Sequence, residues 1–328
     1  MNGENGKAVQ VDGLVKKYGE LTAVDDISFE VEKGEIFGFL GPNGAGKTTT
    51  ISILCTLLQL TSGRAYLYGY DVATQRKSVR QSIGMVFQDP SLDDQLTGRE
   101  NLEFHATIYR LPPDVKEKRI REVLEMVDLF KRADDRVDTY SGGMKRRLEI
   151  ARGLLHYPKV YFLDEPTVGL DPQTRNYIWE YIHGLKKRED ITIFLTTHYM
   201  EEAENCDRIA IIDHGKIIAS DTPDGLRDLI GGDVIQIKTA DDEAAEKELT
   251  GKFGLEIMHE LNCLCFKVDK GEEFIPDFIH NFSMPIQAIS LHRPTLDDVF
   301  IKLTGREIRE ESADRLRTLR YQGSLGRK

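Results

Sequence analysis

The chain has 328 residues, of which 40% are hydrophobic and 30% charged, with a formal net charge of −11. That length suits two domains, no run approaches the ~20 apolar residues of a membrane-spanning helix, and the opening MNGENGKAVQ lacks the apolar core of a secretory signal. The acidic balance disfavours broad binding to nucleic-acid phosphates, and four scattered cysteines (Cys55, Cys206, Cys263 and Cys265) suit reduced core thiols rather than a disulfide framework or a zinc site.

In chain order, Glu35–Leu40 reads as a strand that ends at a glycine-rich turn, and Lys47–Leu60 as a helix. Val160–Leu163, Ile191–Leu195 and Arg208–Ile212 are apolar on both faces, which predicts buried strands of a parallel sheet covered on both sides by helices. The pattern changes near Asp228-Leu-Ile-Gly-Gly-Asp233. Beyond it, Val234–Lys238 alternates as a half-buried strand, Asp241–Phe253 is helical in composition, and Leu255–Leu261 with Cys263–Val268 suits a hairpin. Glu272–Phe282 then reads as a helix, Ile286–Leu291 as a strand and Thr295–Leu303 as a short helix capped by Thr295 and Asp298. The order β-α-β-β-α-β-α predicts a small ferredoxin-like α+β domain. The expected division is a first domain over 1–230 with a helical subdomain at 89–157, an accessory domain over 231–305 and a basic tail over 306–328. The tail suits a solvated extension, or contact with anionic headgroups or an acidic partner.

Gly41-Pro42-Asn43-Gly44-Ala45-Gly46-Lys47-Thr48 fits G-x-x-x-x-G-K-[ST], the Walker A phosphate loop. Its glycines let successive backbone N–H groups face one anion, and the helix that starts at Lys47 adds its positive end. Lys47 can reach the β- and γ-phosphates, and Thr48 can offer its hydroxyl to Mg²⁺. Val160-Tyr-Phe-Leu-Asp164-Glu165 is an apolar strand that ends in two carboxylates, the Walker B pattern. Asp164 is expected to hold Mg²⁺ directly or through water, and Glu165 to polarise the attacking water.

Tyr140-Ser141-Gly142-Gly143-Met144 lies about twenty residues before Walker B and resembles the signature loop of ABC ATPases, usually written LSGGQ. Residues 8–305 as a whole resemble an ABC nucleotide-binding subunit. The resemblance implies an α/β P-loop NTPase fold: a mixed, mainly parallel sheet with a helical subdomain, plus the small C-terminal α+β domain. It also implies ATP and Mg²⁺ as ligands, with Gly41 to Thr49 as the cradle (Thr49 included) and Ser141, Gly142 and Gly143 facing the γ-phosphate bound by the opposite subunit. Tyr18 lies where the family stacks an aromatic residue on adenine. Gln88 in Val-Phe-Gln-Asp matches the Q-loop that touches Mg²⁺ or the water, Asp171 in Gly-Leu-Asp-Pro the D-loop at the dimer interface, and His198 in Leu-Thr-Thr-His the switch histidine on the γ-phosphate. A helix-capping role for Asp171 before Pro172 is the compatible alternative.

Tyr140 and Met144 replace the family's usual Leu and Gln, and Tyr140-Ser-Gly-Gly-Met-Lys-Arg-Arg-Leu148 resembles the drug-resistance branch, typified by daunorubicin-exporter ATPase subunits. His292-Arg-Pro-Thr-Leu-Asp-Asp-Val-Phe-Ile-Lys-Leu-Thr-Gly305 is similar to that branch's C-terminal stretch. The implied activity is ATP hydrolysis that drives export of a drug or other hydrophobic substrate. The implied partners are a second copy, in a homodimer, and a separate ABC-2 type permease at the cytoplasmic face of the membrane, with residues 88–110 and Phe104 at its docking groove. No nucleic-acid partner is expected. A soluble ABC ATPase acting on ribosomes or DNA is the alternative, and a nucleotide-gated regulator without hydrolysis is disfavoured by the presence of Glu165 and His198. The C-terminal domain is expected to be regulatory or to stabilise the dimer.

Overall fold

The computed structural model describes residues 6–88, 91–189, 191–260 and 263–305; the basic tail expected over 306–328 lies outside them. The chain divides into two compact units between Ser220 and Asp221.

In the first unit, β1 (Lys7–Tyr18) and β2 (Leu21–Glu32) precede β3 (Ile36–Leu40), α1 (Lys47–Leu54), β4 (Ser62–Leu67), β5 (Tyr70–Asp71), α2 (Arg76–Ser82) and β6 (Ile83–Val86). Three helices follow: α3 (Gly98–Ile108), α4 (Pro113–Met126) and α5 (Gly142–Gly153). The unit closes with β7 (Val160–Asp164), α6 (Pro172–Glu189), β8 (Thr192–Thr197), α7 (Met200–Ala203), β9 (Arg208–Asp213) and β10 (Lys216–Asp221). The central sheet has the order β10-β9-β3-β8-β7-β6. Its pairings β9–β3, β3–β8, β8–β7 and β7–β6 are parallel. Every residue of β3, β7 and β8 is buried, as their apolar cores require, and Asp164 and three threonines at the strand ends are buried with them.

A second sheet, β2-β1-β4-β5, is antiparallel and has no counterpart among the predicted elements. Along β2, Ile27, Phe29 and Val31 are buried while Ser28 and Glu30 are exposed, the alternation of a sheet with one face on a core. Phe29 carries that face onto the central sheet: its ring stacks on Phe37 at 5.6 Å and lies 5.6 Å from Phe39 and 5.9 Å from Phe194. Helix α1 ends at Leu54, not at Leu60 as the composition suggests. Thr56 adopts a left-handed φ of 61°, and the N–H groups of Leu57 and Leu58 both turn back to the Ser52 carbonyl. Arg80 fixes the turn by donating to Thr56 Oγ1 at 2.7 Å.

The second unit contains α8 (Pro223–Asp228), β11 (Asp233–Thr239), α9 (Asp242–Phe253), β12 (Ile257–Glu260), β13 (Cys263–Val268), α10 (Gly271–Asn281), β14 (Ile286–His292) and α11 (Leu296–Thr304). The unit begins upstream of the boundary expected after residue 230, because α8 packs against α11 and Lys302 donates to the Leu229 carbonyl at 2.7 Å. Its antiparallel sheet has the order β12-β13-β11-β14, the strand order of a ferredoxin-like β-α-β-β-α-β unit. Its core is aromatic: Phe278 lies 5.3 Å from Phe253, 5.6 Å from Phe266, 5.5 Å from Phe274 and 4.9 Å from Phe282. All four cysteines are free thiols; Cys55, Cys206 and Cys265 are buried and Cys263 is half-buried. Among the described residues no helix is long and apolar enough to cross a membrane.

Candidate active site

The order β3-β8-β7 brings the carboxyl ends of three buried strands side by side, with Leu40 opposite Thr197 and Thr196 opposite Asp164. In parallel sheets this edge is where ligands collect. The loop leaving β3 is pinned there. The Gly41 N–H donates to the Thr197 carbonyl at 3.2 Å, and a Cβ at Gly41 would sit 2.2 Å from the Ile212 carbonyl oxygen. At Gly46, with φ of 108°, a Cβ would sit 2.6 Å from the Ala23 carbonyl oxygen. Only glycine permits so close a backbone approach at either position.

Lys47 opens α1 with its side chain buried. Its ammonium donates to the carbonyls of Gly41 (2.7 Å) and Pro42 (3.1 Å) and lies 3.3 Å from Glu165 Oε1. Burial pulls its pKa below the ordinary lysine value, against the opposing pull of Glu165 and Asp164. The rim is open: Asn43, Gly44, Thr48 and Gln88 are exposed, Pro42 and Thr49 are half-buried, and Ala45 is buried.

The two carboxylates at the end of β7 face different partners. Asp164 Oδ1 accepts from Thr196 Oγ1 at 2.5 Å and from Thr48 Oγ1 at 3.4 Å. Burial raises its pKa, and those two hydroxyls oppose the rise. Glu165 sits at φ 46° and is fixed on both oxygens: Oε2 accepts from Gln88 Nε2 at 3.2 Å, and Oε1 lies 3.2 Å from His198 Nδ1 as well as beside Lys47. Burial pushes its pKa up, but the His198 hydrogen bond and the Lys47 charge outweigh burial and hold the carboxyl below the usual glutamate range. Thr48, Asp164 and the Gln88 amide supply hard oxygen donors in one place, a set that suits Mg²⁺ held by one carboxylate together with phosphate and water.

Lys47, Thr48, Gln88, Asp164, Glu165 and His198 therefore converge within the chain, and other expected residues lie apart. Ser141, exposed, caps α5 by accepting from the Met144 N–H at 3.3 Å. Ser141 and Gly143 line a separate cavity of about 350 Å³ with Arg147, Thr174, Tyr177 and Tyr181, and no residue of the Gly41–Thr48 loop is in its wall. Asp171 caps α6: it accepts from the Thr174 N–H at 3.0 Å and from its hydroxyl at 2.6 Å. Tyr18 is 45% exposed at the β1–β2 turn, with the Lys16 ammonium 4.8 Å from its ring centre.

Two buried groups near the site were not among the expected residues. Arg146 donates to the carbonyls of Phe87, Asp164, Glu165 and Pro166. Glu202, buried on α7, accepts from Thr197 Oγ1 at 2.6 Å, and burial lifts its pKa to about 6 although Thr197 and Arg175 oppose the rise.

Residues 24–168 match the ABC transporter family. The daunorubicin resistance ATP-binding protein DrrA2 of Streptomyces coeruleorubidus is 39% identical to this chain over 94% of the chain and 98% of that protein. The Nod factor export ATP-binding protein I of Paraburkholderia xenovorans (strain LB400) is 40% identical over 92% and 99%, respectively. A solved dimeric ATP-binding cassette in a post-hydrolysis state, bound to ADP and Pi, superposes with a TM-score of 0.59 at 28% identity, over 65% of this chain and 98% of that one.

Proposed function

The chain belongs to the ABC transporter ATP-binding family, and from that premise we propose that it binds and hydrolyses ATP as the energy-coupling subunit of an exporter, acting as a homodimer with a separate membrane permease. The observation that carries this reading is the fixing of Glu165 on both carboxylate oxygens by Lys47, Gln88 and His198 at the strand edge where the phosphate loop opens.

In this mechanism the Gly41–Thr49 loop and Lys47 hold the triphosphate, and Thr48, Asp164 and Gln88 are the residues that would hold Mg²⁺. When bound, Mg²⁺ supplies charge neutralisation at the β- and γ-phosphate oxygens. Glu165, kept ionised by its neighbours, takes the proton from the attacking water as the water oxygen bonds to γ-phosphorus and the bond to the β-phosphate oxygen breaks. His198 and Lys47 face the same phosphoryl group. Tyr18 offers an exposed ring for adenine stacking.

Ser141 and Gly143 stand on a cavity wall apart from the chain's own phosphate loop, which supports the use of Ser141, Gly142 and Gly143 on the nucleotide of a second copy in a twofold head-to-tail pair. The N–H groups that open α5 are the donors such a contact needs. Asp171 runs along the same interface while capping α6.

The permease is placed at a cavity of about 350 Å³ lined by Leu57, Ile83, Met85, Phe87, His105 and Tyr109, with Arg80 and Arg152 also in its wall. A mostly apolar groove with two cationic groups suits an amphipathic cytoplasmic helix bearing an acidic residue. Phe104 stands beside this groove rather than in its wall, 59% exposed and edge-on to His105. Docking there would put the chain at the cytoplasmic face of the membrane, with no spanning helix among its described residues. The cargo follows the permease; the names of the relatives point to drugs and Nod factor, hence to a drug or other hydrophobic molecule.

The test is Glu165→Gln. Steady-state turnover should fall by at least about 10²-fold, the range of a lost general base, while size-exclusion chromatography with ATP shows a persistent dimer. Full ATPase activity in that variant, or an ATP-loaded chain that stays monomeric, sinks the assignment.

A further inference from the structure

Helix α5 carries Arg146, Glu149 and Arg152 at intervals of three residues, a spacing that sets them along one side of the helix. All three are buried, at 7%, 2% and 5% exposure. Their partners are mostly main-chain atoms of segments distant in sequence. Arg146 Nε donates to the Pro166 carbonyl at 2.6 Å, Nη1 to the Phe87 carbonyl at 2.7 Å, and Nη2 to the carbonyls of Asp164 (3.3 Å) and Glu165 (3.2 Å). Nη1 also bonds Glu149 Oε2 at 3.0 Å. The other oxygen of Glu149 accepts from the Ser91 N–H at 2.8 Å, and Arg152 donates to the Ser91 carbonyl and hydroxyl, both at 2.6 Å.

Buried charge on a helix is costly, and an apolar face of equal volume would hold two elements together at least as well. What the charges add is direction. Arg146 bonds the carbonyl just before Gln88 and the carbonyl of Glu165 itself, so it fixes the backbone at both ends of the Gln88–Glu165 hydrogen bond. Glu149 holds the Arg146 guanidinium in that orientation. Arg152 and Ser91, at the far end of the row, stand in the wall of the apolar groove together with Phe87.

We propose that Arg146, Glu149 and Arg152 form a ladder of positioning residues that ties the orientation of Glu165 to the segment bordering the groove. This rests on the ATPase reading above, and it adds a route, through the helix that begins at Ser141, by which a change in the groove reaches the carboxylate. The ladder acts on kcat rather than on nucleotide affinity, because no member bonds to the residues of the phosphate loop.

The experiment uses the purified full chain. In Arg146→Lys the charge remains but the planar fork that spans four carbonyls is lost, so kcat should fall at least about tenfold while KM for ATP stays within about twofold. The double variant Arg146→Gln/Glu149→Gln, which removes the Arg146–Glu149 ion pair as a unit, should show the same split if the single variant folds poorly. Arg152→Gln, which breaks the Ser91 end, should lower kcat by a smaller factor, again with KM unaltered. An unchanged kcat in both Arg146 variants overturns the proposal, as does a parallel change in kcat and KM. An unchanged kcat in Arg152→Gln overturns the link to the groove. Wild-type chain without ATPase activity, or full activity in Glu165→Gln, refutes the parent reading instead, so the two failures are distinguishable.

Discussion

The two units handle charge in opposite ways. In the first, Glu35, Lys47, Arg119, Arg146, Glu149, Arg152, Asp164, Glu165 and Glu202 are all buried, and among the described residues the only buried polar side chain of the second unit is Thr239. The second unit is closed instead by its cluster of phenylalanines. Burying ionised groups costs several kcal/mol each unless they are paired and hydrogen-bonded, so a fold retains them where orientation or chemistry requires them. The contrast assigns chemistry to the strand edge of the first unit and packing to the second.

The contrast can be broken first at Phe278. Its ring is fully buried against four others, so Phe278→Ala should cost about 3–5 kcal/mol in denaturant unfolding. KM for ATP should stay within about twofold; a matching loss of ATP affinity would show that the second unit supports the site. A smaller effect is expected at Glu202. Its carboxyl is harder to ionise in the folded chain, so its contribution is present below the ordinary glutamate pKa and is lost as pH rises through about 6. Glu202→Gln should therefore be more stable than wild type by about 2 kcal/mol at pH ~7.5, with the difference gone near pH ~4. Equal stabilities at both values would mean that the buried carboxylate carries no cost. The smallest effect belongs to the second unit. Thr295 and Asp298 form a capping box on α11, and Thr295→Ala should cost about 1 kcal/mol by thermal unfolding without altering turnover.

The parts of the site that the sequence exposed share a property: their residue types are rare at that spacing. The glycines of the phosphate loop are legible because close backbone approach at Gly41 and Gly46 excludes other residues, and Lys47, the paired carboxylates after Val160–Leu163 and His198 because charged or titratable groups directly beside buried apolar strands are uncommon. Arg146, Glu149 and Arg152 were illegible because charges three apart on a helix ordinarily mark a solvated face, and their acceptors are carbonyls, which no side-chain pattern reports. Glu202 lies in Met200-Glu-Glu-Ala203, where its exposed neighbour Glu201 gives the same one-letter signal. The antiparallel sheet of β1, β2, β4 and β5 stayed hidden for a different reason. Register shifts at Leu14 and Lys16 break the two-residue alternation that announces a half-buried strand. The second unit was legible almost element by element, since its strands are short and α8, α9 and α11 open on capping side chains.

Glu165 carries one more consequence. At φ 46° it occupies backbone space that glycine or asparagine enters more easily than glutamate. A protein selected for durability alone would have little reason to keep glutamate there. On the role proposed for Glu165, the residue that serves turnover is also a place where heat tolerance is given up, and a search for hardier versions of this protein will be drawn to position 165 at the expense of the motor.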